Sequence, residues 1–330
     1  MKMNTKYITI NIPNLGKGGP WKGHSKSRKN LTCRTLSGKA WGLGNMAIRK
    51  VSQAISGRQT IDGAGVKLYR VFSHGEVADL DPFLLLDNFG SDNPLDYLAG
   101  FPWHPHRGIE TVTYMLKGEV EHADNLGNKG TIHDGEVQWM TAGSGIIHQE
   151  MPKLTEGRSV GFQLWVNLPA KDKMCSPKYR DVKAGDIPIA KLSEGVSAKI
   201  ICGKAKGVSG PVHDLAVEVE YLDISMEPGK ELHHSIKPSH TAFAYVYAGE
   251  GMFGENSTPV SEGKLALFGK GDAVRIKSGK AGLRFLLVSG APLREPISWG
   301  GPIVMNTEEE LRHAFEELQD GTFIKGKANV

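Results

Sequence analysis

From Val66 to about Gly301 the apolar residues fall in short runs bounded by Gly, Pro, Asn and Asp. "VKLYRVF", "ETVTYML", "GFQLWVNL", "VEVEYLDISM", "TAFAYVY" and "LRFLLVSG" are examples. Closely spaced runs rich in β-branched and aromatic residues predict strands, and so many of them predict an all-β sandwich or barrel. One late stretch breaks the pattern. In "TEEELRHAFEEL", Leu311, Phe315 and Leu318 recur at helical spacing, Thr307 stands at the N-cap and Glu310 completes a capping box. A segment rich in Lys, Pro and Gly, residues 171–188, reads as a linker between two β-rich halves, 46–170 and 189–330.

The halves look like copies. "YMLKGEV" from Tyr114 matches "YVYAGEG" from Tyr245, an offset of 131. "GEVQWMTAG" from Gly135 matches "GDAVRIKSG" from Gly271, an offset of 136. Each half thus has a strand ending in Gly-Glu and a Gly-acid turn into another strand, which predicts duplicated barrels.

Candidate chemistry sits in the first copy. "FPWHPHRG" places His104 and His106 two apart, so in an extended segment both imidazoles point to one face. One such pair among 12 His in 330 residues is close to what chance supplies. A second pair decides the matter: "SGIIHQEM" sets His148 and Glu150 at the same spacing, 42 residues beyond His106. Two same-face pairs on neighbouring barrel strands can close on one point. Three neutral imidazoles and a carboxylate suit Fe, Mn, Ni, Cu or Zn. The lack of thiolates argues against a closed structural zinc site. Four protein ligands leave about two positions of an octahedron open. Carried over by the two offsets, His104, His106 and Glu110 become Ser235, Lys237 and Thr241, and His148 and Glu150 become Arg284 and Leu286. One metallated half and one structural half are expected.

Charge narrows the partners. The formal net charge is +4, but residues 1–45 hold nine Lys or Arg and no acidic residue. The rest carries 31 basic against 36 acidic side chains, a net −5 that argues against nucleic acid as the partner. The basic extension reads as a transit peptide, a basic arm, or sequence upstream of a start at Met46. Cys33, Cys175 and Cys202 form neither a disulfide framework nor a Cys-x-x-Cys site, which fits a reducing compartment. No apolar run is long enough to cross a bilayer, so the expected location is the cytoplasm, or also the nucleus in a eukaryote.

"HPHRGIETVTYMLKGEVEH", "GEVQWMTAGSGIIHQEMP" and "GFQLWVNLP" resemble the pirin family of the cupin superfamily, over Gly100–Leu168 and, by bicupin layout, to about Thr322. The resemblance implies two facing double-stranded β-helix barrels, with Fe(II) held by the positions matching His104, His106, His148 and Glu150. Glu110 matches the general cupin glutamate, which in pirins is not the usual ligand, and is expected beside the ligands. The resemblance further implies a quercetin 2,3-dioxygenase activity that opens a flavonol with O2 and releases CO. Glu150 is then the candidate general base, or Glu110 if Glu150 stays on the metal. The other implied role is an iron-dependent, redox-sensing co-regulator that grips a protein partner.

The remaining candidates are weaker. Arg107 could steer an anion or pair with a carboxylate. Gln138 and Gln163 could hydrogen-bond a ligand. Trp103, Trp139 and Trp165 read as core or rim packing. His122 and His133 read as solvated, with His122 able to approach the mouth, and His233 and His234 read as structural. Nothing near Cys175 predicts a lowered pKa.

Overall fold

A computed structural model describes residues 46–154 and 158–325. The basic extension, with Cys33, lies outside the described residues. Among the described residues no helix is long and apolar enough to cross a membrane.

The chain is all-β, as its patterning requires. The first half is a seven-stranded sheet faced by a four-stranded one. In spatial order the larger sheet runs Lys178–Val182, Val137–Thr141, Ile109–Lys117, Ser159–Asn167, Phe83–Ser91, Val66–Phe72 and Arg58–Asp62. The smaller runs Phe101–His106, Ile146–Pro152, Val120–Asp124 and Lys129–Ile132. The second half is a nine-stranded sheet centred on Thr241–Phe253 and Ala273–Gly290.

Strand alternation sorts the side chains. On Ile109–Lys117, Val112 and Tyr114 turn to a core shared by the two large sheets. Thr113 turns the other way, into the first barrel, where it meets Glu150. Both faces are covered, so Ile109 to Met115 are all buried, the polar Glu110, Thr111 and Thr113 among them. In the shared core, Phe243 of the second half stands edge-on to Phe72 and Phe83 of the first, with ring centroids 5.6 and 5.3 Å apart. Truncating such a buried aromatic costs about 3–5 kcal/mol.

The halves exchange their ends, which the linear division at 170 and 188 does not foresee. Val51–Ser56 pairs with Lys264–Phe268 in the second sheet. Lys178–Val182, inside the expected linker, pairs with Val137–Thr141 and closes the edge of the first. An unpaired strand edge needs a partner, and each half takes one from outside its own stretch of sequence. The C-terminal helix Glu308–Gln319 has the expected capping box: Glu310 N donates to Thr307 Oγ1, and Thr307 N donates to the Glu310 carboxylate.

The repeat is present, but one of its offsets is corrected. Val137–Thr141 and Lys264–Phe268 occupy the same place beside the central strand, with Val137 opposite Tyr114 and Leu265 opposite Tyr245. Ile146–Pro152 therefore matches the strand beginning at Ala273, an offset of 128 rather than 136. His148 lies opposite His104 where Ile276 lies opposite Leu232, and Ile146 lies opposite His106 where Val274 lies opposite His234. The loop after His234 is three residues longer than that after His106, so His104 and His106 also map at an offset of 128, not 131. The true counterparts of His104, His106, His148 and Glu150 are thus Leu232, His234, Ile276 and Ser278.

Candidate metal centre

Cross-strand pairing builds the site. His104 and His148 are direct partners on adjacent strands, and His106 follows His104 on the same face. One ring nitrogen from each of the three lies within 4.8 Å of the other two. The described residues hold no other such group of His, Cys, Asp or Glu. His106 and His148 are buried, and burial holds their pKa values well below the ordinary histidine value. His104 is lowered for the same reason. Neutral imidazole is the ligand form.

The hydrogen bonds show that these residues fit a cation. A carbonyl can only accept, so His104 Nδ1–H donates to Pro102 O at 2.8 Å and His106 Nδ1–H donates to Pro302 O at 3.2 Å. Each ring must then present its Nε2 lone pair. Those two lone-pair atoms face each other at 3.1 Å. With no proton between them the contact repels, and a positive ion relieves it. Both nitrogens of His148 are buried without a hydrogen-bond partner. Unsatisfied buried polar atoms of this kind cost about 1–3 kcal/mol each, and ligation removes the cost.

Glu150, expected as the fourth ligand, stands outside this triad of donors. The pairing of its strand with Phe101–His106 shifts register between His148 and Glu150. Its carboxylate instead accepts from Thr113 Oγ1 at 3.0 Å and from Gln163 Nε2 at 2.9 Å. Trp165 Nε1 donates to Gln163 Oε1 at 3.0 Å, which fixes the amide orientation. Glu150, Gln163 and Thr113 line a pocket with Val66, Leu68, Phe89, Tyr97 and Phe101, and with the polar Asp87 and Ser159. The free space inside it is about 30 Å³, about that of one water, so a larger ligand requires its walls to move.

Glu110 is corrected outright. It lies on the face of its strand that carries Val112 and Tyr114, away from Thr113 and the histidines. There it accepts from Trp139 Nε1 at 2.9 Å and Thr141 Oγ1 at 2.6 Å, with Arg180 4.0 Å away. Burial raises its pKa. It is a satisfied carboxylate between the sheets and has no access to a ligand at the metal centre.

The remaining candidates separate cleanly. Arg107 pairs with Glu317 at 2.7 Å, buried. Gln138 donates to Asp181, outside the site. Trp139 is fully buried, Trp103 is 46% exposed, and Trp165 stands edge-on to His106 at 5.1 Å. His133 and His233 are exposed beside Glu119 and Glu231, and His234 bonds Glu220. Burial raises the Cys175 thiol. His122, expected to be solvated, is 4% exposed. It stacks on Tyr179, and its Nδ1 has no partner. Thr113, Tyr179 and the carbonyl of Pro302 escaped the sequence reading. Alternation from Glu110 would have placed Thr113 on the opposite face, but no local signal marks Pro302.

Two facing barrels, one of them lined by convergent imidazoles, define a bicupin with a candidate metal centre in its first half. Comparison with known proteins narrows this. The family model described as Pirin matches residues 65–166, and that described as Pirin C-terminal cupin domain matches residues 221–324. The chain belongs to the pirin family. It is 43% identical to a pirin-like protein of Caulobacter vibrioides over 279 residues, 84% of this chain and 100% of that one. The crystal structure of a quercetin 2,3-dioxygenase from Acinetobacter baumannii superposes with a TM-score of 0.79 at 33% identity, covering 86% of this chain and all of that one. A bacterial pirin from Escherichia coli, solved in complex with nickel(II), shares the fold at 21% identity, with a TM-score of 0.55 over 75% of this chain and 99% of that one.

Proposed function

We propose that this chain is an Fe(II)-dependent dioxygenase that opens a flavonol such as quercetin with O2 and releases CO. The observation that carries the reading is the meeting of an apolar, aromatic-walled pocket with a buried carboxylate beside three neutral imidazoles. A divalent transition ion on His104, His106 and His148 supplies positive charge and open coordination positions. Phe89, Tyr97 and Phe101 orient a planar polycyclic ligand and exclude water. Glu150, free of the donor triad, takes the proton of the ligand's hydroxyl at a carboxylate oxygen. Thr113 and Gln163 hold that carboxylate toward the pocket. The named quercetin dioxygenase among the structural relatives supports the substrate class, and free Cys175 and Cys202 fit a cytoplasmic setting.

The test is oxygen uptake with CO detection on iron-loaded protein and on His106→Ala. The reading requires quercetin, O2 and CO to change together, and His106→Ala to be at background. Equal slow oxidation in both would remove the enzyme and leave an iron-dependent protein-binding role.

A further inference from the structure

The three imidazoles are not held alike. His104 is fixed by a carbonyl of its own strand, and His148 by no protein hydrogen bond at all. His106 is fixed by Pro302, 196 residues further on, at the tip of the hairpin Ser298–Gly300 and Ile303–Met305. The same hairpin reaches His106 by a second route: Trp299 packs on Trp165 at 6.0 Å, and Trp165 stands edge-on to His106. Trp299 is itself held by His74, stacked at 3.6 Å.

This C-terminal segment is clamped to the residues that follow His106. Val304 N donates to Arg107 O at 3.1 Å. Lys173 Nζ donates to both Gly108 O and Val304 O, each at 2.9 Å. A Cβ on Gly108 would lie 2.0 Å from Val304 O, so only glycine allows so close an approach. Arg107, 2% exposed, carries the clamp out to the helix: Nη1 bonds Glu317, Nη2 donates to Phe323 O at 2.6 Å, and the guanidinium lies 4.0 Å above the Phe323 ring.

We infer that the C-terminal segment Ser298–Phe323 is a positioning element for the metal centre, and that its docking and metal binding are thermodynamically linked through His106. This rests on the reading of the histidines as a metal site. A carbonyl that orients a ligating imidazole typically contributes roughly 10–100-fold to metal affinity. Linkage is reciprocal, so whatever the docked segment adds to metal affinity, the metal returns as tighter docking. Releasing the helix would then loosen the metal without touching a ligand.

The test has two arms. Affinity for Ni(II) and Fe(II) is measured by chelator competition on Glu317→Ala, Phe323→Ala and the control Arg312→Ala, whose side chain is exposed and pairs only along its helix with Glu316. The first two should bind roughly 10–100-fold more weakly, and the control should match wild type. Hydrogen exchange is measured on wild type with and without metal, which needs no variant to fold. Amides of Glu308–Gln319 should exchange more slowly with metal, and that protection should vanish in His106→Ala. Unchanged helix exchange in wild type that does bind metal overturns the linkage, as does full metal affinity in variants whose helix exchanges faster. Wild type that binds neither ion overturns the metal centre itself, and the linkage with it.

Discussion

The two barrels share a frame and differ in what fills it. Where the first places His104, Thr113, His148, Glu150 and Gln163, the second places Leu232, Ala244, Ile276, Ser278 and Leu287; only His106 keeps its type, as His234, which bonds Glu220. The second interior is a continuous apolar cluster that includes Leu222, Phe253 and Phe285. It is satisfied by its own contacts. The first leaves both nitrogens of His148 and Nδ1 of His122 without partners. A barrel built only for stability would replace such atoms with hydrocarbon or give them partners, as the second has done with Leu232 and Ile276 and with His234 bonded to Glu220. The difference teaches that one interior is complete as protein and the other becomes complete only with a guest.

Exchanging residues between the interiors tests this. The largest effect should follow His148→Ile, which installs the residue of the second barrel. Metal content should fall to background, while metal-free stability should rise by about 2–6 kcal/mol, because two orphaned polar atoms at about 1–3 kcal/mol each disappear. Metal analysis with urea unfolding of the chelated protein checks both. Loss of stability in the apo form would mean that His148 has a protein partner. The reverse exchange, Leu287→Gln, brings an amide into an apolar cluster between Leu222 and Ala244, its partners on the neighbouring strands. It should cost about 2–4 kcal/mol in urea unfolding and leave metal content unchanged. The smallest effect belongs to Glu110→Gln. It keeps acceptor and shape between the sheets, so metal content and turnover per bound metal should match wild type, with about 1 kcal/mol lost from charge-assisted hydrogen bonds. A drop in turnover per metal would return Glu110 to the site.

Legibility followed the range of each interaction. Strand runs, the capped helix and the two same-face pairs are local, and His104, His106 and His148 converge because period-two alternation requires it. The same alternation separates Glu110 from Thr113 and sets it between the sheets, where the general cupin pattern gives no sign of it. Glu150 has the spacing of a ligand, but the register shift beside it and its bonds to Thr113 and Gln163 leave no trace in that spacing. The offset of 136 failed because Gly-bounded strands resemble one another, and only pairing partners show which is which. The exchanged strands Val51–Ser56 and Lys178–Val182, and the Pro302 carbonyl behind His106, are long-range facts with no sequence period to betray them.

The most direct measurement is metal stoichiometry joined to X-ray absorption on protein loaded with Fe(II) and freed of excess. The account predicts one ion per chain with three imidazoles in its coordination shell, all from the first barrel. Two ions per chain, or a single ion whose shell lacks imidazole, would contradict it.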